Sequence, residues 1–381
     1  MKSILILLHC ESNTGYAIGP LEGTFYRMAL QLCADDASRI HFGYPSMARG
    51  PSDTLPAGFG QYVIVDTRSS DPAHWREVAD YIQRHDIDTV FGFDQPVSRP
   101  IYRHLRQAGV RHFIAYWGAP MSSVFGPFKR LLKRIDVTLR RHGPDHYIFE
   151  SQGMADTAVL GRGIRRARTS VVYLGVDTGK FQPAPADAPY VYEQLKIPAQ
   201  RKIFFYAGHM EARKGVAVIM RAANRLAELR REDDWQIVLF GNQPGEQTGF
   251  LEMLTPAART HVQFGGYRRD LPLIQRGCHA AVIASTGWDS FPRSGVEMQA
   301  SGLPLLASGL PGLRESVDHG KTGFVFEPGN DGELATLMSR LIDEPGLRAQ
   351  LSQQARTRAL EKFSLAAQHA NLVAAVKAIA G

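Results

Sequence analysis

The sequence predicts an α/β protein made of two doubly wound domains in tandem, with a cleft between them. Three observations point there. The chain has 381 residues, too many for one typical domain and enough for two that each bury a core. Short apolar runs bounded by turn residues alternate with segments of helical periodicity for nearly the whole length, which is the pattern of parallel βαβ units. That pattern breaks at a Pro/Ala-rich stretch, 182–189, and then restarts.

In the first half the candidate strands are ILILL (4–8), YVIV (62–65), TVFGF (89–93), HFIAYW (112–117), YIFE (147–150) and SVVYL (170–174). The first amphipathic segment between them carries Leu21, Phe25, Met28, Ala29 and Leu32 at spacings of three and four. In the second half the runs are KIFFYAG (202–208), WQIVLFG (235–241), VQFGG (262–266), AAVIAS (280–285), PLLAS (304–308) and GFVFEP (323–328). The N-terminal MKSILILLHCESN has a lysine and an apolar run, as a signal peptide does. The run stops at His9 with no small-residue cleavage site after it, so it reads as a first strand.

Composition narrows the function. Charged residues are 21% and hydrophobic residues 44% of the chain, ordinary for a globular protein, and no uncharged apolar run is long enough to span a membrane. Cys10, Cys33 and Cys278 form no CxxC pair, which argues against a disulfide framework or a zinc site and fits a reducing cytoplasm. Charge is uneven: Arg103 to Arg168 holds 13 Lys/Arg against 4 Asp/Glu, so this part carries +9 of a total of +7 and the remainder −2. Such a region meets something acidic: a membrane surface, an anionic lipid-linked substrate or nucleic acid.

Ligands of parallel sheets sit where strands end and loops lead into helices. In YAGHMEARKG the strand ends at Gly208, the loop carries Arg213 and Lys214, and Gly215 opens a helix with apolar positions Val216, Ile219, Met220, Ala223 and Leu226. Cations beside a helix N-terminus suit a phosphate or diphosphate; the alternative is a solvated basic turn. In WDSFPRSGVEMQASGLP two carboxylates, Asp289 and Glu297, flank a Phe-Pro-Arg-Ser turn, and a helix is expected from about Ser294. Ser294-Gly295-Val296-Glu297 also matches a capping box, and Asp289 could be an Asx-turn residue.

The stretch DSFPRSGVEMQASGLPLLAS resembles the E-x7-E region of the retaining glycosyltransferases of family four. YAGHMEARKG, LGVDTGKFQP, VQFGGYRRDLPLIQRGCHAAVIAS and HGKTGFVFEPGNDGELA are similar to further segments of that family, in the family's order, over Leu174 to Ala335. The first half resembles it only in its β/α pattern and in a glycine-containing first loop, SNTGYAIGPLEG.

The resemblance implies the GT-B fold, two Rossmann-like domains with an interdomain cleft. It also implies a metal-independent hexosyltransferase that retains anomeric configuration and needs no cofactor. The acceptor hydroxyl attacks on the face the leaving group vacates, and the departing phosphate takes its proton. Lys214 matches the lysine that neutralises the donor diphosphate, and Arg213 is the neighbouring cation. Asp289 matches the acidic position facing the donor sugar, and Glu297 the one holding the ribose. Ser290, Phe291 and Pro292 match the turn along the sugar and diphosphate, where main-chain amides would stabilise the leaving group. Gly15, His209, Gly266, Tyr267 and Arg293 complete the expected donor site. The expected domains are 1–181 for the acceptor, a linker at 182–199, 200–363 for the nucleotide sugar, and a C-terminal helix, 364–381, returning to the first domain.

Three departures stand out. His209 occupies the usual place of an arginine, so Arg213 or Arg293 has to replace that cation. Asp289 is one methylene shorter than the usual glutamate. Trp117-Gly118 stands where the family often has a histidine. Asp86-x-Asp88 precedes its strand and reads as a surface turn, and the thirteen histidines show no metal-ligand spacing.

In the basic segment 128–142, Phe128, Leu131, Leu132, Ile135 and Leu139 fall on one helical stripe among Lys129, Arg130, Lys133, Arg134, Arg140 and Arg141. This reads either as a membrane-surface helix or as a helix whose stripe packs on the sheet. The expected partners are a nucleotide-sugar donor, a glycan or lipid-diphosphate-linked sugar acceptor and an anionic membrane on the cytoplasmic face of the inner membrane. Nucleic acid is not expected, since base-stacking aromatics are sparse there. The role expected is hexosyl transfer in surface polysaccharide assembly. A sugar-nucleotide epimerase or a phosphorylase is disfavoured by the carboxylate pair and by the lack of a recognisable pyridoxal-phosphate lysine segment. The alternative from another class is a non-catalytic nucleotide-sugar-binding or assembly protein.

Overall fold

The computed structural model describes residues 1–123, 126–139, 143–183 and 190–381, with the side chains of 15–18 and 138–139 also outside the description. The chain forms two compact units: Met1–Val172 with Gln368–Gly381, and Tyr173–Ala367.

Unit 1 holds a parallel sheet of β1 (Ser3–Leu7), β2 (Ile40–Tyr44), β3 (Tyr62–Ile64), β4 (Ile87–Phe93), β5 (His112–Trp117), β6 (His146–Phe149) and β7 (Thr169–Val171). Their order is β3-β2-β1-β4-β5-β6-β7. Ile4 to Leu8 have no exposed surface, as expected of a central strand covered on both faces. The second strand is absent from the apolar runs of the sequence because His41 and Gly43 interrupt it. His41 is nevertheless buried, its Nδ1 2.9 Å from the Tyr81 hydroxyl, and burial brings its pKa down to about 4.

Unit 2 holds β8 (Lys202–Ala207), β9 (Trp235–Phe240), β10 (Val262–Phe264), β11 (Ala280–Ile283), β12 (Leu305–Ser308) and β13 (Gly323–Phe326). They run parallel in the order β10-β9-β8-β11-β12-β13. Two apolar clusters lie against the sheet. One joins Phe204, Trp235 and Leu306 to Ile219 and Leu226, and the other joins Phe205, Phe240 and Leu305 to Val191 and Leu313. Alternate residues of each strand therefore serve opposite layers.

The units divide at Val172/Tyr173, earlier than the sequence limit of 181. The cause is local packing. Tyr173 packs against Phe291 and, edge-on, Phe363, with centroids 5.1 and 5.7 Å away, Val176 bridges Ser364, and Arg356 donates to the carbonyls of Phe181 and Thr178. The linker stretch 184–189 lies outside the described residues, and Tyr190–Leu195 is already a helix of unit 2. The last helix, Leu365–Ala380, leaves unit 2 within its first turn. From Gln368 onward it belongs to unit 1, where His369 bonds the Gln31 side chain at 2.7 Å.

Candidate active site in unit 2

The strand order of unit 2 reverses direction between β8 and β11, so a crevice opens at their carboxyl ends. The loop 208–215 leaves β8 there and the loop 284–292 leaves β11. The two loops are tied together: the Arg213 carbonyl accepts from the amides of Thr286 (2.7 Å) and Gly287 (3.2 Å). Gly215 is left-handed, with φ 73°, and a Cβ on it would run into the Ala284 carbonyl. Only glycine allows this approach.

The union brings Lys214 and Asp289 together. Lys214 Nζ lies 2.8 Å from Asp289 Oδ2, and the buried Ser285 hydroxyl donates to the same oxygen at 3.0 Å. The side chains are 21% and 9% exposed, so the ammonium reaches toward solvent while the carboxylate sits beneath it. Asp289 is therefore held by an ion pair. Its neighbour Gly312 packs so closely on the carbonyls of Asp289 and Ser290 that a Cβ has no room.

Arg213 turns aside from this pair. Its guanidinium lies 4.5 Å over the Trp288 ring, donates to the Trp288 carbonyl at 3.2 Å and pairs with Glu211 at 2.7 Å. His209 is exposed, and its carbonyl accepts from the Tyr206 hydroxyl. Phe291 and Pro292 are buried, with Phe291 against Tyr173 and Phe363. Their side chains anchor the turn.

The helix after this turn starts at Arg293, with Pro292 at its N-cap and no side-chain cap, so the capping box suggested by Ser294 and Glu297 is not formed. Glu297 instead pairs with Arg293 at 3.5 Å. Burial raises its pKa, and Arg293 and Lys180 only partly oppose that. A carboxylate kept largely dry without a capping role is the kind of group found in functional sites.

Beside the crevice the strand ends carry glycines. Gly241 has φ 101°, and a Cβ on it would strike the Gly208 carbonyl. Its amide donates to the Gly266 carbonyl at 2.9 Å, and the Gly266 amide donates to the buried Asn242 side chain at 2.8 Å. Tyr267 follows, exposed. Gly208, Gly241, Gly265 and Gly266 thus form a glycine-rich rim at the carboxyl ends of β8, β9 and β10, with Asn242 and Tyr267 beside it. The sequence reading missed Asn242, Ser285 and Lys180; an asparagine directly after a strand-ending glycine was the available signal for the first.

Gly15 opens the helix Gly15–Leu32 of unit 1, so the donor residues expected from sequence fall on both units. Unit 1 has its own switch point, between β1 and β4. Asp94 follows β4 in a left-handed conformation with φ 50° and accepts from the Gly118 amide at 2.9 Å. Burial raises its pKa against that bond and the charge of His9. The Tyr116 hydroxyl donates to Glu150 at 3.2 Å nearby. Asp86 and Asp88, by contrast, bind Lys2. Among the described residues no three His, Cys, Asp or Glu side chains are grouped to hold a metal.

Two doubly wound parallel units, with a lysine and two acidic residues around the switch point of the second, define the GT-B architecture. The comparisons agree. Residues 191–358 match the family described as Glycosyl transferases group 1. A relative, the D-inositol 3-phosphate glycosyltransferase of Arthrobacter sp. (strain FB24), is 26% identical over 192 residues, 48% of this chain and 43% of the relative. The chain spans about half the length of the first curated relatives it matches.

Among solved structures, a glycosyltransferase from Rickettsia africae ESF-5 superposes with a TM-score of 0.78 at 16% identity, covering 99% of both chains. Anabaena Alr3699/HepE in complex with UDP gives 0.77 at 19% identity, covering 99% of this chain and 100% of that one. HepE has also been solved with UDP-glucose.

Proposed function

We propose that the chain is a retaining, metal-independent hexosyltransferase. It moves a hexose from a nucleotide-diphosphate-sugar donor to a sugar or lipid-linked glycan acceptor in surface polysaccharide assembly, at the cytoplasmic face of the inner membrane. One observation carries the reading: Lys214 and Asp289 meet at 2.8 Å across the switch point of unit 2, with glycines at the neighbouring strand ends and the half-buried Glu297 on the helix that follows the turn.

In this reading the base lies along Gly241 and Gly266, and Glu297 accepts from the ribose hydroxyls. Lys214 moves from Asp289 to the diphosphate while Asp289 orders the sugar hydroxyls. The acceptor hydroxyl forms a bond to the anomeric carbon as the bond from that carbon to the diphosphate oxygen breaks. The departing phosphate takes the hydroxyl proton, and a nucleoside diphosphate leaves. The Lys214 ammonium and the amides of the 289–292 turn lower the barrier by stabilising charge that grows on that oxygen.

A second reading, a nucleotide-sugar-binding protein without turnover, is favoured by one feature. Arg213 and Arg293, the cations available to replace the arginine absent at His209, are already paired with Glu211 and Glu297. Release of nucleoside diphosphate from a donor panel, in the presence of membrane glycolipid extract and EDTA, separates the two. Turnover supports transfer. Donor binding without any release of nucleoside diphosphate supports the binder.

A further inference from the structure

The helix Pro127–Leu139 of unit 1 presents four apolar side chains to solvent. Positions i, i+3, i+4 and i+7 place Phe128, Leu131, Leu132 and Ile135 on one face, and Val137 falls on the opposite one. Val137 packs against a buried cluster containing Ala115, Phe149 and Ile164. Arg162 pairs with Asp136 at 3.3 Å, and Gly163, left-handed at φ 86°, lets the backbone of Lys133 and Arg134 come so close that a Cβ would lie 2.6 Å from the Arg134 nitrogen.

The helix is thus seated by the face opposite the stripe. Phe128, Leu131, Leu132 and Ile135 are 74%, 55%, 51% and 47% exposed. Of the two readings the sequence left open, the one in which the stripe packs on the sheet is not what these four side chains do. A soluble domain normally turns such a stripe inward, and a contiguous exposed one marks a binding surface.

Charge identifies the occupant. Lys129 and Arg134 are exposed on either flank of the stripe, with Arg130 and Lys133 half-buried behind. A second copy of this face would oppose cations to cations, whereas an anionic bilayer offers phosphates around an apolar interior. We propose that this helix is a membrane-surface anchor, lying in the headgroup layer of an anionic bilayer with the four apolar side chains at the acyl boundary and Lys129 and Arg134 on lipid phosphates. Residues 140–142, including Arg140 and Arg141, lie outside the described residues, and the inference does not use them. It is independent of the transferase reading, since it rests on unit 1 alone.

The test is sedimentation of the full chain with vesicles of mixed phosphatidylglycerol and phosphatidylcholine, against phosphatidylcholine alone. Two variants are compared, Phe128→Ser/Leu132→Ser and the reporter Phe128→Trp. The expected result is salt-weakened binding to the anionic vesicles only, at least ~10-fold weaker in the double variant. That variant keeps its circular dichroism spectrum, and the indole emission of the reporter variant shifts to the blue on binding. Three results overturn the proposal. One is absence of binding. Another is binding unchanged by the double substitution, which means adhesion without insertion. The third is a wild-type dimer that the double substitution dissociates, which means that the stripe is an interface between copies.

Discussion

Replacing Lys214 by methionine keeps the aliphatic stem and removes the charge, leaving Asp289 with the Ser285 hydroxyl as its remaining partner in the pair. At 2.8 Å and an effective dielectric constant near 20, the gross attraction is about 6 kcal/mol. Most of that is offset by the hydration both charges forgo, and the lysine is partly exposed. Removing one partner of a fully buried pair costs about 3–5 kcal/mol, so ~2 kcal/mol is expected here. For a unit of this size that lowers the calorimetric melting temperature of unit 2 by about 4–8 °C. Asp289→Asn, which leaves the lysine free to reach water, costs ~1 kcal/mol. The double variant loses less than the sum, with a coupling of at least ~1 kcal/mol. Additive losses would refute the reasoning, because they would mean that the pair is a surface contact with no hold on the loop.

Three further outcomes follow from the geometry. Glu297→Gln should stabilise the protein at neutral pH while weakening donor binding. Burial raises this carboxyl, so the folded state holds its proton longer than the unfolded chain, and stability falls as pH rises from the ordinary carboxylate value to the folded one. Melting temperatures across that window should fall in the wild type and stay flatter in the variant; a variant less stable at pH 7 contradicts this. Gly215→Ala forces a side chain into a left-handed site against the Ala284 carbonyl and should cost ~2–4 kcal/mol, read by thermal melting, with a loss below ~1 kcal/mol counting against it. Trp288→Ala removes the ring beneath Arg213 and should cost only ~0.5–1 kcal/mol while changing donor affinity through a freed guanidinium, measured by calorimetric titration.

The strands of both sheets were legible because parallel strands covered on two faces read as unbroken apolar runs, as ILILL does. The run at Ile40–Tyr44 was not, because His41 is a polar residue whose burial depends on Tyr81, forty positions away. Lys214 and Asp289 were each visible as loop residues. Their meeting was not, since 75 positions separate them and the strand order that joins their loops is a property of the folded sheet. The capping alternative at Ser294–Glu297 is not realised for a related reason: the N-cap is Pro292, two residues before Ser294, and Glu297 turns to Arg293. In the helix Pro127–Leu139 the periodicity gave the apolar stripe and left its direction open, because periodicity does not say which side of a helix the domain occupies.

Ligand-observed NMR of the full chain against UDP-, GDP-, ADP- and dTDP-sugars, beside Lys214→Met and Glu297→Gln, tests the donor site most directly. One donor should bind the wild type and be lost in both variants, the second of which remains at least as stable as the wild type. Binding of no donor, or binding untouched by both substitutions, would contradict the account and leave the Lys214–Asp289 pair as a structural tie between two loops.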